Sequence, residues 1–192
     1  MGKNLNNVRL VGRTGKMAFY LVPDKTKENS IYTRMEGFTS LSTSTGAIEY
    51  SRQYVDEDFE HTDITGYATS TSYAFDKYVG NPVLDDMIKI HENELVAQDA
   101  VCSIIQVDMT TAEKNGSTCT AKGKLPDYAV IPDSDGDCTD CMTYSGTFKT
   151  RGKMQDVEIT TTDDFQTITI IETAASSVAY SGANEERTAW NN

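Results

Sequence analysis

The sequence predicts a mainly β fold of eight or nine strands with one α-helix. Three observations favour it: Thr, Ser and Tyr are abundant, apolar residues recur at about every second position over 31–80, and one segment near residue 82 has helical spacing. With 192 residues and 38% hydrophobic content, the chain is long enough for a single domain with its own core.

The chain begins with a polar, cationic segment, residues 1–16, and Met17 opens the first strand, MAFYLVP. Two interpretations stay open: a disordered extension or a start-site choice upstream of Met17, or an arm that docks on a neighbouring subunit. The candidate intersubunit residues of such an arm are its cations, Lys3, Arg9, Arg13 and Lys16. We expect a β domain over 17–172 and a second arm, polar and rich in small residues, over 173–192.

Residues 31–80 are predicted to be β-sheet, interrupted by the acidic stretch EYSRQYVDEDFEHTD. Its simplest interpretation is a solvated loop. Five acids of this stretch are candidate site residues: Asp56, Glu57, Asp58, Glu60 and Asp63.

A helix is predicted over about 82–96. Asn81 is a good N-cap, Pro82 suits the first helical position, and an apolar face recurs at helical spacing. Its polar outer face indicates a helix that covers one side of a sheet.

Beyond the helix, residues 99–111 predict a strand, followed by a Gly-, Lys- and Asn-rich loop to about 126. Four more strands are predicted, YAVIP, MTYSGTFKTRGK, DVEITT and FQTITIIET. The segment DSDGDCTDC, between the first two, is predicted to be the connection of a hairpin with Asp-Gly at its bend.

The same segment could suggest a metal site. Asp133, Asp135 and Asp137 fit the start of a calcium loop, but Cys138 stands where Gly is needed and Tyr144 where a bidentate Glu is needed. Zinc would require a second ligand pair beside the CxxC of residues 138–141, and neighbouring aspartates disfavour a reactive thiolate. We therefore expect reduced, slow thiols and no metal or other cofactor; the four cysteines are Cys102, Cys119, Cys138 and Cys141. A metal- or thiol-dependent binding module using residues 133–141 stays as an alternative.

No motif supports an enzyme. GRTGKM, residues 12–17, lacks the spacing of a phosphate-binding loop, and a G-x-S-x-G nucleophile motif is absent from the sequence. Of the two histidines, His61 lies in the acidic stretch and His91 on the apolar helix face, where a packed core histidine is the simpler interpretation. We expect no catalytic residues.

Charge excludes a conventional nucleic-acid-binding domain. The net charge is −12, and because residues 1–16 carry four cations and no acid, residues 17–192 carry −16. Such a body repels phosphates. No long apolar window or apolar leader is present, which predicts neither a membrane anchor nor an export signal.

Four segments together resemble the major tail protein, or tail tube protein, of long-tailed bacteriophages of Gram-positive hosts. They are MAFYLVP, YTRMEGFTSLSTSTGAIEYSRQYVDED, TSYAFDKYVGNPVLDDMIKIHENELVAQDAV and YAVIPDSDGDCTDCMTYSGTFKTRGK. The resemblance covers roughly residues 17–172 and lies in the order and spacing of the segments around one helix. Residues 1–16, the C-terminal segment and the cysteines fall outside it.

The resemblance implies a β-sandwich or barrel-like fold with a flanking helix, assembled as stacked hexameric rings into a virion tail tube in the bacterial cytoplasm. In such a tube the five acids of the acidic stretch are candidates to line the lumen or to form the contact between stacked rings. It implies self-association and contacts with other tail proteins, such as the tape measure, tail terminator and baseplate components, and DNA that passes through the lumen without specific binding. The inner tube of a contractile phage-tail-like bacteriocin or injection particle is an alternative that the sequence does not separate from this one.

Overall fold

A computed structural model describes residues 11–22, 31–137 and 140–171. Its strands are β1 (Lys16–Leu21), β2 (Tyr32–Arg34), β3 (Phe38–Arg52), β4 (His61–Asp76), β5 (Val101–Asn115), β6 (Thr118–Asp137), β7 (Met142–Thr161) and β8 (Thr167–Ile171). The helix α1 spans Pro82–Glu92, and short 3-10 turns cover Arg13–Gly15 and Ala97–Ala100. The predicted fold class, mainly β with one helix, is confirmed.

The strands form one antiparallel sheet in the order β3-β4-β7-β6-β5-β1-β2-β8, and β8 also pairs with β7. This second pairing closes β7, β6, β5, β1, β2 and β8 into a ring of strands, so that β3 and β4 extend from the closed part as a hairpin. Strand β7 bends at Gly152, whose φ of +92° favours glycine. Its first half pairs with β4 and its second half with β8.

Two hydrophobic clusters fill the interior. The first lies under α1, where Val83, Leu84 and Met87 pack beside sheet residues such as Phe75 and Phe148. The second lies within the closed ring of strands; its largest members are Phe19, Tyr32 and Phe165.

The helix begins as predicted, because the Asn81 side chain accepts hydrogen bonds from the backbone N–H groups of Val83 and Leu84 and Pro82 occupies the first turn. It ends at Glu92, earlier than residue 96. Glu94 and Ala97 have positive φ, so the backbone leaves the helical path there.

The prediction of a loop from residue 111 to about residue 126 is wrong. β5 continues to Asn115 and β6 begins at Thr118, with Gly116 (φ +64°) in the tight turn between them. Composition suggested a loop because Lys114, Lys122 and Lys124 are polar, but these residues lie on paired strands, and polar side chains alternate with buried Ala121 along β6.

The hairpin predicted around DSDGDCTDC is present, with a different bend. Gly136 pairs with Thr143 and Asp137 with Met142, so Asp-Gly lies within β6 and the connection comes later. The two strands predicted from MTYSGTFKTRGK and DVEITT are one continuous strand, β7, because Gly152 bends the chain without interrupting the sheet.

Candidate assembly surface

The hairpin of β3 and β4 projects beyond the rest of the sheet. The two strands pair with each other from Phe38/Phe75 to Arg52/His61, but β4 pairs with β7 only over Ser70–Asp76. Beyond Ser70, neither strand pairs with a further strand among the described residues. The outer edge of β3 is likewise unpaired along its length in the described part of the chain.

This projecting hairpin exposes large apolar side chains. Ile64 is 58% exposed and Tyr67 62%, and Ile48 and Tyr50 are exposed on the partner strand. Single exposed apolar residues are ordinary, but a group of them on an extended two-stranded ribbon is not, because a hairpin gains little stability without a face to bury. The hairpin therefore has the character of a contact surface.

The acidic stretch covers the end of the hairpin: residues 53–60 form the connection, and Asp63 lies on β4. All five candidate acids are exposed, and they are Asp56, Glu57, Asp58, Glu60 and Asp63. The connection is an ordered turn: the Glu57 N–H donates to the Tyr54 carbonyl (3.2 Å), and the Glu57 carboxylate is hydrogen-bonded to the His61 ring. Residues 38–76 carry seven acids against one cation, Arg52, a formal charge of −6.

Val55 and Phe59 lie among these acids with their side chains open to solvent, Phe59 at 81% exposure. The connecting loop, residues 53–60, thus combines negative charge with an exposed aromatic ring. We call it the acidic tip.

A cleft lies at the root of the hairpin, where β3 and β4 part from the barrel. One cavity of about 590 Å³ adjoins Lys16 and Leu41, and another of about 500 Å³ adjoins Tyr67, Lys124, Lys153 and Met154. A smaller cavity shares the lining residue Lys16 with the first and Lys124 with the second. We call these three neighbouring cavities the root cleft.

The root cleft is cationic. Four lysines line it, Lys16, Lys122, Lys124 and Lys153, against one acid, Asp156, which lies 4.0 Å from the Lys124 ammonium with both side chains largely exposed. Lys153 forms no ion pair with a described residue. In a protein of net charge −12, this makes the root cleft a locally distinct surface.

The four arm residues are not brought together as a described site. Lys16 belongs to β1, where it pairs with Asp108, and Arg13 lies in the preceding 3-10 turn. Lys3 and Arg9 lie outside the described residues, as does the C-terminal segment 173–192. The sequence interpretation of residue 16 as part of an arm thus differs from its place in the sheet.

The two histidines lie on separate elements. His61 sits at the acidic tip, whereas His91 packs on α1 against the rings of Tyr73, Phe75 and Tyr144. The Tyr73 hydroxyl lies 2.7 Å from Nε2 of His91, and burial lowers the pKa of this imidazole, opposed by the negative charge of Asp135. This is the environment of a packed histidine, as its position on the apolar helix face predicted.

The segment 133–141 of the metal or thiol alternative is described by the structure except at positions 138 and 139. No group of three or more His, Cys, Asp or Glu side chains among the described residues is placed to hold a metal ion. Asp133 and Asp135 are exposed on β6, Cys102 is buried, and Cys138 lies outside the described residues. Burial, with smaller contributions from Asp86 and Asp127, raises the pKa of the Cys102 thiol well above its usual range.

Within residues 11–22, 31–137 and 140–171, every buried side-chain nitrogen or oxygen has a hydrogen-bond partner. The same residues include no helix long and apolar enough to cross a bilayer. The features that stand out are therefore the projecting hairpin, the acidic tip and the root cleft. The sequence indicated the acids; it did not indicate the root cleft, which is formed by residues far apart in the chain.

The fold resembles that of solved tail structures. A chain of the SPP1 tail tube, determined by solid-state NMR and cryo-electron microscopy, matches with a TM-score of 0.58 at 9% identity, over 77% of this chain and 78% of that chain. A chain of the tail of an empty gene transfer agent particle matches with a TM-score of 0.48 at 9% identity, over 76% of this chain and 98% of that chain. A chain of the anti-feeding prophage baseplate matches with a TM-score of 0.42 at 10% identity, over 78% of this chain and 96% of that chain.

No protein-family model matches the sequence, and no curated protein matches it. The first of the structural similarities establishes that this chain has the fold of the SPP1 tail tube chain; the two with TM-scores below 0.5 add nothing to that argument.

Proposed function

We propose that the protein is a non-enzymatic structural subunit of the tail tube of a long-tailed phage of a Gram-positive host. Its copies polymerise in the host cytoplasm as hexameric rings that stack into a tube. The observation that carries this proposal is the projecting β3–β4 hairpin, which exposes apolar side chains and an unpaired edge. The fold shared with the SPP1 tail tube chain supports it.

The hairpin explains why the chain would assemble with copies of itself. An exposed edge of fifteen residues is a template for pairing with another strand, and pairing with a neighbour in a closed ring removes the hazard of open-ended association. Burial of Ile48, Ile64 and Tyr67 against neighbouring subunits would add the apolar contribution that the isolated hairpin lacks.

Charge fits a channel for DNA. A tube built from subunits of charge −12 repels phosphates at long range, so that the DNA slides through the lumen without binding. Because the acidic tip lies at the end of the hairpin, away from the barrel, we assign its acids to contacts between rings in preference to the lumen wall.

The cations of residues 1–16 offer a second contact in this proposal. Lys3 and Arg9 would bind an acidic surface of the next subunit. Removal of residues 1–10, which leaves β1 intact, should weaken tube assembly; tubes of unchanged length and stability would count against this arm. The partners in the particle would be tape measure, tail terminator and baseplate proteins.

Negative-stain electron microscopy of the purified protein at high concentration tests the main proposal. Hollow tubes or six-fold rings are expected, and a persistent monomer across salt and protein concentrations would overturn it.

A matched pair of variants tests the role of the hairpin. The double variant Ile48→Asp, Ile64→Asp should abolish tubes without lowering the melting temperature, since both side chains are exposed in the monomer. The control, Val79→Asp with Val96→Asp, adds the same charge at exposed apolar positions outside the hairpin and should leave tubes intact. Equal loss in both would show that net charge, and not the hairpin, controls assembly.

A further inference from the structure

We propose that the root cleft of one subunit binds the acidic tip of a second copy of this chain. This inference rests on the proposed self-assembly and names the two surfaces that meet. It commits to a single occupant, the loop 53–60 of another copy, docked through charge complementarity and the ring of Phe59.

The two surfaces are complementary in charge. The root cleft is lined by four lysines, Lys16, Lys122, Lys124 and Lys153. Lys124 lies beside Asp156 and Lys16 opposite Asp108, whereas Lys153 forms no ion pair with a described residue. The acidic tip carries Asp56 and Asp58, for which the described residues likewise provide no ion pair. Complementary potentials of this kind fix the register of an interface and disfavour wrong partners.

The two surfaces are also complementary in their apolar parts. Leu41, Tyr67 and Met154 line the root cleft, and its two main cavities, of about 590 and 500 Å³, have room for an aromatic side chain. Phe59 projects into solvent from the acidic tip with no apolar surface to cover it. A buried aromatic anchor surrounded by charged contacts is the usual arrangement of a specific interface.

The contact must be made between copies. Thr45 lies at the root cleft and Arg52 at the start of the tip, so seven residues of paired strand separate them, a distance of about 23 Å at a rise of about 3.3 Å per residue. The turn at Glu57 holds the tip at the far end. A subunit cannot fold its own tip back into its own cleft without breaking the β3–β4 ladder.

Charge reversal gives a direct test in the full-length protein. The tip variant is Asp56→Lys with Asp58→Lys, which leaves the Glu57–His61 pair in place, and the cleft variant is Lys124→Glu with Lys153→Glu. Each alone places like charges at the contact and should raise the protein concentration needed for assembly at least about tenfold at low salt. The control, Lys89→Glu with Lys114→Glu, makes the same charge change as the cleft variant at exposed lysines outside the cleft. It should assemble like the wild-type protein.

Mixing decides the question. An equimolar mixture of the tip and cleft variants contains opposite charges at every tip–cleft contact between unlike subunits, so assembly should return, as it should in the chain that carries all four substitutions. Sedimentation velocity and electron microscopy measure both, and circular dichroism confirms that each variant is folded.

The outcomes separate this inference from the proposed function. Tubes from the wild type, with both reversed variants assembling as well as the control, would overturn the tip–cleft contact and leave the tube intact. A wild type that forms only small oligomers, lost in each variant and restored by mixing, would overturn the tube and support the contact. Failure of mixing and of the fourfold variant to restore assembly would also overturn the contact.

Discussion

Gly146 lies on β7 directly opposite Tyr73 of β4, and the Tyr73 ring covers it. A Cβ atom at position 146 would lie 2.4 Å from the Tyr73 hydroxyl oxygen and 2.5 Å from the Ile131 carbonyl oxygen. Neither neighbour can move easily: the Tyr73 side chain is buried and its hydroxyl is hydrogen-bonded to His91, and the Ile131 carbonyl belongs to the backbone of paired β6. Gly146→Ala should therefore destabilise the fold.

The size of the effect follows from this crowding. Overpacking a well-packed site reduces the free energy of unfolding by about 1–3 kcal/mol, and the backbone contact places this variant near about 3 kcal/mol. For a chain of this length each kcal/mol corresponds to about 2–4 °C, which gives a decrease in melting temperature of about 6–12 °C.

Gly136→Ala is the matched control, because Gly136 lies on the partner strand β6 and a Cβ there meets nothing within 4 Å. It should leave the melting temperature unchanged or raise it slightly, since alanine restricts the unfolded chain. Thermal unfolding followed by circular dichroism, at protein concentrations below assembly, measures both variants. The packing argument would be refuted if the melting temperature of Gly146→Ala lay within about one degree of the wild-type value, far less than the expected decrease.

Three further predictions concern stability and reactivity. Asn81→Ala removes the cap of α1 and should lower the free energy of unfolding by about 1 kcal/mol in urea, whereas Asn81→Asp retains an acceptor and should lose less. The pKa of His91 is lowered in the folded protein, so below the ordinary histidine pKa of about 6.5 the unfolded chain binds more protons than the folded one. The free energy of unfolding should therefore fall as the pH decreases from about 6.5 towards the lower pKa of the folded state. A His91→Gln variant with the same pH dependence as the wild type would contradict this. With Cys119, Cys138 and Cys141 replaced by Ser, the buried Cys102 thiol should react with a disulfide reagent only in denaturant, and rapid labelling of the native protein would contradict its burial.

The sequence predicts the elements of this fold more fully than their arrangement. Periodicity and capping residues identify α1 through Asn81 and Pro82, and alternation identifies the strands. The predicted strand boundaries are wrong at two places, where the local composition conflicts with the pairing of strands. The polar segment after residue 111 is part of a strand because the neighbouring strand supplies its backbone hydrogen bonds. Gly152 bends β7 but does not end it.

Of the candidate surfaces, the sequence indicates the acidic tip but not the root cleft. The acids of the tip are contiguous in the sequence, so their concentration is visible there. The root cleft requires Lys16, Tyr67 and Lys124 to meet, and they lie on β1, β4 and β6. No local pattern encodes such a meeting, which depends on the order of strands in the sheet and on the bend at Gly152.

The closing strand β8 has a consequence for synthesis. Tyr32 pairs with Ile168 and Glu158 with Ile171, so the ring of strands cannot close until the ribosome has released residues near 171. The β3–β4 ribbon pairs locally and can form much earlier, since local contacts fold faster than distant ones. During translation the nascent chain can thus form this exposed ribbon before its own barrel closes, at a stage when exposed strand edges favour aggregation.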